Sequence, residues 1–239
     1  MRYLRSAACL LAGIAVVLWS AAAARAGDTA GTPPGTATVT GVVTLPASAP
    51  RAARPAGAAY SGVPTAHAHG SGPPSRGPHE TVVVSLHPRS FAAPALPLAE
   101  PPRLEQAGMA FVPRVLPITV GSTVHIVNLD QVFHNVFSLT PGARFDIGHR
   151  RTGEVVPQRI DVPGRVEVFC DIHPDMVATI LSLDTPYYAR PDAAGRYEIR
   201  QLPPGTYEVR AFHPIYAFPT ATLELKPGTS AALDFAPTE

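Results

Sequence analysis

The stretch Phe169-Cys170-Asp171-Ile172-His173-Pro174-Asp175-Met176 is the most informative part of this chain. It places a thiol, an imidazole and a thioether at Cys-x2-His-x2-Met spacing within one short loop. The chain has three methionines, and one of them is the first residue, so a methionine that closes this loop is hard to attribute to chance. A further histidine lies upstream, in Phe133-His134-Asn135-Val136. These four side chains are candidates for one shared metal site.

Two imidazoles, one thiolate and one weak thioether are the ligand set of a blue-copper site. We therefore predict that His134, Cys170, His173 and Met176 hold one mononuclear type 1 copper ion. Cys170 would bind as the thiolate, and Met176 would be the weak axial ligand that tunes the reduction potential. The alternatives are ordinary ones: a buried thiol that packs as a small hydrophobe, structural histidines and a gap-filling methionine.

The first residues read as an export signal. Arg2 and Arg5 are followed by the apolar run Ala7–Leu18, which is too short to span a bilayer, and then by the small-x-small pattern Ala24-Arg25-Ala26. We predict a signal peptide at 1–26 and a periplasmic location. No later stretch is long and apolar enough to cross a membrane.

Removal of the signal takes away three of the 19 basic residues and leaves all 18 acidic ones, for a net charge of about −2. This balance gives no reason to expect a nucleic-acid partner. Cys170 becomes the only cysteine, so an internal disulfide is excluded. Because an unpaired thiol is a liability in an oxidising compartment, a bound metal would account for its presence.

The composition, with 28 prolines and 19 glycines, predicts an all-β chain with many turns. Residues 46–80 are rich in Pro, Ala, Gly and Ser, and we expect a disordered insertion there. We expect residues 159–162 and 165–170 to form a hairpin whose second strand ends at Cys170 and positions it at the metal site. The predicted strands before residue 184 are Ala37–Leu45, Thr81–Leu86, Phe111–Val120, Thr123–Asn128, Asn135–Leu139, Arg159–Val162, Arg165–Cys170 and Val177–Leu183.

A second unit is predicted at 184–239. Arg196–Arg200 and Thr206–Arg210 alternate apolar and polar residues, and a Pro-Gly turn joins them. Ala221–Leu225 and Ser230–Phe235 read as further strands. We expect a small antiparallel sandwich with its own core.

Residues 104–183 resemble the cupredoxins, and the short ligand loop is most similar to the amicyanin branch of that family. The resemblance rests on Gly121–Asn128, on His134-Asn135-Val136, and on Pro163-Gly164 followed by the Cys170–Met176 loop. It implies a Greek-key β-sandwich that carries electrons. It also implies that the His173 ring reaches the surface through an apolar patch, and that Asn135 ties the first-ligand segment to the cysteine loop.

The C-terminal unit resembles the carboxypeptidase regulatory-like (transthyretin-like) sandwich, through the run Gly195–Tyr207. That module usually opens with a Gly-x-Val strand, and Thr40–Thr44 is similar to one. We therefore expect nesting, in which residues 37–90 supply the first strands of this sandwich and the cupredoxin is inserted after them. Residues 81–86 could instead be the cupredoxin's own first strand. The combination resembles bacterial periplasmic proteins described as plastocyanin-like or methylamine-utilisation proteins, but it does not imply a methylamine pathway.

We expect a carrier of single electrons between a protein donor and a protein acceptor, and not an enzyme. The alternative is a copper-binding or carbohydrate- or protein-binding module with no electron-transfer role. A multicopper oxidase would need further His-x-His pairs, and the chain has only His67-Ala68-His69. A basic group, Arg144, Arg150 and Arg151, would face solvent or an acidic partner.

Overall fold

The computed structural model describes residues 36–46, 77–94 and 96–238 of the 239. Within these ranges the chain forms sixteen β-strands and one short 3-10 helix, and no α-helix. The predicted all-β fold class is therefore confirmed. The predicted signal peptide and residues 47–76 of the predicted insertion, with His67 and His69, lie outside the described residues. None of the described segments forms a helix that could cross a membrane.

The strands are short and separated by turns, as the composition predicts. Their bounds are β1 Ala37–Val42, β2 Val83–Pro88, β3 Arg103–Gln106, β4 Phe111–Val112, β5 Val115–Thr119, β6 Thr123–Asn128, β7 Phe137–Ser138, β8 Phe145–Asp146, β9 Val155–Arg159, β10 Gly164–Phe169, β11 Val177–Leu183, β12 Tyr188–Ala189, β13 Arg196–Leu202, β14 Gly205–Phe212, β15 Ala221–Leu225 and β16 Ser230–Ala232.

The middle of the chain, β3 to β11, forms two sheets around one core, and we call this unit the inner sandwich. Its sheets have the orders β4-β3-β6-β9 and β5-β11-β10-β7-β8. Alternate residues of the strands point inward, as the two-residue period of a strand requires. The core includes Leu104, Ile126, Val168 and Ile180, and Cys170 and Met176 are part of the same buried cluster.

The remaining strands form a second unit, the outer sandwich, from both ends of the described chain. Its sheets have the orders β13-β1-β16 and β12-β2-β14-β15. Its core includes Val39 and Leu86 from the N-terminal strands and Ile199 and Tyr207 from the C-terminal ones. The outer sandwich is therefore interrupted by the inner one, which is the nested order that the sequence predicts.

The two sandwiches also share a small apolar cluster. Val83 of β2 packs with Val115 of β5 and with Leu181 and Leu183 of β11, and all four are at most 6% exposed. Strand β2 alternates between two environments, because Val84 and Leu86 belong to the core of the outer sandwich. Its other face, with Val83, Ser85 and His87, is directed toward the inner sandwich.

Two expectations about the strands that open each sandwich are resolved by the pairing. Strand β2 pairs with β12 and β14, so residues 81–86 belong to the outer sandwich. The first strand of the inner sandwich is β3, which sequence periodicity does not reveal and which pairs in parallel with β6. A four-residue strand followed by Ala107-Gly108 is too short to show an alternating pattern.

The predicted hairpin at 159–170 is wrong. Strand β9 pairs with β6 in one sheet, whereas β10 pairs with β7 and β11 in the other. The chain crosses between the sheets at Ile160, which is 1% exposed and packs in the core. A Pro-Gly turn is compatible with either path, because it reverses the chain without specifying its partner strand.

Three smaller differences separate the structure from the sequence-based expectations. The predicted strand 111–120 is divided into β4 and β5, which belong to different sheets. The outer sandwich is not wholly antiparallel, because β1 and β16 run parallel. The predicted disordered insertion ends earlier than residue 80, since Pro78–Thr81 form the 3-10 helix.

Candidate metal centre

His134 lies between β6 and β7, where the backbone is held on both sides. Its amide donates to the carbonyl of Arg150 at 3.3 Å, and the amide of Arg150 donates back at 2.7 Å. The side chain is fully buried, at 0% exposure. A ring held this way by rigid neighbouring strands has little freedom to turn away.

The segment from Cys170 to Met176 is a closed loop between β10 and β11. The amide of Cys170 donates to the carbonyl of Met176 at 3.3 Å, and the amide of Met176 donates to the carbonyl of His173 at 2.9 Å. Because β10 and β11 pair along their whole length up to Phe169 and Val177, the loop is anchored at both ends. The x2 spacings turn Cys170 and His173 toward the same point.

Three of the four predicted ligands converge at this point. Nδ1 of His134 lies 3.0 Å from Nδ1 of His173, and Sγ of Cys170 lies 3.9 Å from the first nitrogen and 3.8 Å from the second. A point equidistant from the three atoms lies about 2.1 Å from each, which is close to the usual metal–imidazole and metal–thiolate bond lengths. The donor set therefore fits a single small metal ion, and no other group of three such donors is found among the described residues.

Asp130 sets the tautomer of His134. Its Oδ2 lies 2.9 Å from Nε2 of His134, so Nε2–H donates and the lone pair of Nδ1 is left for a metal. Burial alone would raise the pKa of Asp130, but hydrogen bonds from the amides of Met109 and Gly108 and from His134 lower it below its ordinary value. A carboxylate that supports a ligating histidine is a common outer partner of metal sites.

Sequence reasoning missed Asp130 and emphasised Asn135 instead. Asn135 is 3% exposed, but its Oδ1 has no hydrogen-bond partner among the described residues, so the expected tie to the cysteine loop is not seen there. The available signal was the spacing Asp130-x3-His134, which becomes meaningful only when the intervening turn is known.

The remaining ligands differ in exposure. Cys170 is 4% exposed and Met176 is 1% exposed, both within the core cluster of the inner sandwich. His173 is half-buried. Burial, and then the neighbouring His134, lower the pKa of His173, which favours the neutral imidazole that metal binding requires.

The other polar candidates contribute no donor atom to this cluster. His149 pairs with Asp171 at 3.4 Å, and Arg150 pairs with Glu154 at 3.7 Å. The guanidinium of Arg151 lies 5.9 Å above the ring of Phe133, which is 52% exposed. The basic group is thus partly engaged with its own neighbours.

No family model matches the chain, and no curated protein does. Solved structures are similar over part of it. A Cu-containing nitrite reductase from Thermus scotoductus is 28% identical over 41% of this chain and 25% of its own, with a TM-score of 0.34. A purple cupredoxin from Nitrosopumilus maritimus is 24% identical over 34% of this chain and 99% of its own, with a TM-score of 0.31.

A reduced Cu(I) form of an amicyanin variant is 19% identical over 42% of this chain and 98% of its own, with a TM-score of 0.34. This chain therefore spans about a quarter of the length of the nitrite reductase and nearly the whole of the two small copper proteins. The structural neighbours of this chain are cupredoxins, each similar to less than half of it.

Proposed function

We propose that this chain is a periplasmic type 1 copper protein that carries single electrons between a protein donor and a protein acceptor. The observation that supports it is the meeting of two imidazole nitrogens and one thiol sulfur within 3.9 Å. Soft thiolate and imidazole donors with a weak thioether favour copper over the harder divalent ions.

Each ligand has a distinct part in this proposal. His134 and His173 offer neutral Nδ1 atoms, and Cys170 offers a thiolate. Met176 completes the set as the weak axial ligand. A copper ion held there supplies a one-electron couple between Cu(II) and Cu(I).

The surroundings limit rearrangement when the charge changes. His134 is fixed by its backbone bridge to Arg150 and by Asp130, and the cysteine loop is closed by its own hydrogen bonds. The burial of Cys170 and Met176 keeps water from two of the donors. No bond to carbon or oxygen needs to form at this centre, so we propose no enzymatic reaction there.

Half-buried His173 offers the route to a partner. It is flanked by Ile172, which is 41% exposed, and Phe133 beside His134 is 52% exposed. We propose that redox partners dock on this apolar surface. Weak redox encounters bury small interfaces, below about 1,200 Å².

The second candidate function is a binding module in which copper is structural or stored. The outer sandwich favours it, because a unit with its own core is not needed to build the metal centre. We propose that the outer sandwich is an accessory module of the carboxypeptidase regulatory-like type. An oxidised thiolate–copper carrier is intensely coloured, whereas a store of Cu(I) is not.

The test is to express residues 27–239, add one equivalent of Cu(II), and record visible and EPR spectra. The proposal requires an intense thiolate-to-copper band that bleaches on reduction and returns on oxidation. Zn(II)-loaded protein is the matched control, since it fills the same donors with an ion that has no redox chemistry. A colourless protein that binds only Cu(I) would favour storage and contradict electron transfer.

The location has its own test. Expression of the full chain in a bacterial host, followed by fractionation, should give a periplasmic protein whose first residue is Gly27. Intact protein in the cytoplasm that retains Met1 or Arg2 would contradict export.

A further inference from the structure

A second hydrogen-bonded cluster lies away from the metal centre, where the two sandwiches meet. Oγ of Ser85 is 3.0 Å from Nε2 of His87, and Nδ1 of His87 is 2.6 Å from Oδ1 of Asp184. Ser85 and His87 are two residues apart on β2 and therefore project from the same face. Asp184 directly follows β11, so the chain of hydrogen bonds joins the outer sandwich to the inner one.

This cluster lines a cavity of about 460 Å³. Ser85 is 4% exposed and His87 is 7% exposed, so both are shielded from bulk water. Apolar side chains form much of the wall, among them Leu181, Leu183 and Phe212. A volume of this size, with few polar groups that converge, is typical of small-molecule sites.

The order of the three groups is that of an activated nucleophile. The Nδ1–H of His87 donates to the carboxylate of Asp184, which leaves the Nε2 lone pair directed at the hydroxyl of Ser85. A nucleophile within reach of a base, which a third group orients, is the geometry by which such sites are recognised on unrelated folds.

The electrostatics suit the same roles. Burial lowers the pKa of His87, and the nearby Arg210 lowers it further, while Asp184 and Glu208 oppose the shift. The imidazole is therefore neutral, and able to accept a proton, at pH 7. Arg210 stands directly opposite Ser85 in the β14–β2 pairing and lines the cavity, where its guanidinium is paired with Glu208.

We propose that Ser85, His87 and Asp184 form a second reactive site, which cleaves small esters with an apolar acyl group. Ser85 Oγ bonds to the ester carbonyl carbon while its proton passes to His87 Nε2. The bond to the alcohol oxygen then breaks, and His87 returns the proton to that oxygen. A water molecule next attacks the acyl–serine carbon, gives one proton to His87, and releases the acid as Ser85 regains its proton.

This inference goes beyond the proposed electron-carrier function and departs from the expectation that the chain is not an enzyme. It does not depend on the metal centre. Gly164, the first residue of β10, lines the cavity, and Cys170 directly follows the last residue of the same strand. About 20 Å of strand therefore separates the two sites.

The direct test is covalent labelling of residues 27–239 by a small alkyl fluorophosphonate, read by intact mass and peptide mapping. We expect one adduct, on Ser85. Ser85→Ala should abolish it. Ser230→Ala is the control, because Ser230 is an exposed serine of β16 that does not line this cavity. That variant should label like the wild type.

Turnover gives the second readout, with p-nitrophenyl acetate as the probe and a chelator present to exclude hydrolysis by free copper. His87→Gln should lower the rate by about 10³-fold or more, and Asp184→Asn by at least about 10²-fold. Reaction of the wild type at Ser85 supports the site even if a variant fails to fold. Absence of an adduct on wild-type Ser85, or unchanged turnover in a folded Ser85→Ala protein, would overturn it and leave the cluster as a tie between the sandwiches.

Discussion

Nε2 of His134 lies 2.9 Å from Oδ2 of Asp130, and this contact orients the one fully buried imidazole of the candidate metal centre. The carboxylate also accepts from the amides of Gly108 and Met109, at 2.6 and 2.9 Å. The turn after β3 therefore holds the carboxylate, the carboxylate holds the ring, and the ring presents Nδ1 to Cys170 and His173.

Asp130→Asn should weaken Cu(II) binding by about 10- to 100-fold, because the amide is a poorer partner for Nε2–H and no longer raises the basicity of the ring. Competition with a chelator of known affinity measures the change. Asp161→Asn, which alters an exposed carboxylate paired with Arg159, is the control and should bind copper like the wild type. Equal losses in both variants would contradict a specific role for Asp130.

Cys170→Ser should abolish the intense visible band, because a serine oxygen cannot replace the thiolate. The protein should remain folded, with a loss of about 1–3 kcal/mol for a hydroxyl buried without a good partner. Absorption spectroscopy and urea denaturation provide the two measurements. A variant that keeps the band would exclude Cys170 as the ligand.

Met176→Leu should keep the blue colour and raise the reduction potential, since the weak axial thioether is replaced by an apolar group. Leucine has nearly the same volume, so the cost in stability should stay below about 1.5 kcal/mol even at a position that is 1% exposed. Spectroelectrochemical titration of the copper form gives the potential. Loss of copper binding in this variant would show that Met176 is needed to hold the ion and does not only adjust its reduction potential.

His213 should make the protein sensitive to mild acid. Burial lowers its pKa from 6.5 to about 4, and the neighbouring Arg114 and His79 act in the same direction. Its Nδ1 accepts from the amides of Ile215 and Tyr216, so protonation there breaks both bonds. As pH falls below 6.5, His213 becomes protonated in the unfolded chain but stays neutral in the folded chain. The free energy of unfolding therefore decreases until the pH reaches about 4, the pKa in the folded protein.

The control for this effect is His213→Asn, whose amide oxygen can accept the same bonds but does not titrate. The difference in unfolding free energy between wild type and variant should change by up to about 1.4 kcal/mol per pH unit in that window. Denaturant titrations of the metal-free protein from pH 4 to 8 measure it. Parallel pH profiles would mean that His213 is not the sensitive group.

Gly41→Ala tests the pairing of the two ends of the chain. A Cβ at this position would lie 1.8 Å from the carbonyl oxygen of Leu233 and 2.8 Å from the ring of Tyr197, so β1 would have to move from its neighbours. We expect a loss of about 2–4 kcal/mol in urea denaturation. Thr40→Ala, at the neighbouring half-buried position, should cost less than about 1 kcal/mol. Similar stabilities would contradict the close approach.

The proposed metal ligands could be picked out from the sequence because three of them share one loop, where spacing in the sequence largely fixes spacing in the structure. Strands β6 and β11 were predicted with the bounds that the structure shows, because their apolar runs end at clear turn residues. Strand β3 and the crossover at Ile160 were not, because pairing partners are chosen by contacts distant in sequence. Asp130 was missed for the same reason, since its role depends on the amides of Gly108 and Met109.

By itself the sequence determined the chemistry that is local: the donor types, their spacing in the loop and the all-β pattern. Only the tertiary structure decided what meets across the chain. It brought His134 to within 3.9 Å of Cys170, assigned β2 to the outer sandwich, and aligned Ser85 and His87 with Asp184. Periodicity specifies which face of a strand is buried, whereas the partner of that face is selected by the packing of the whole core.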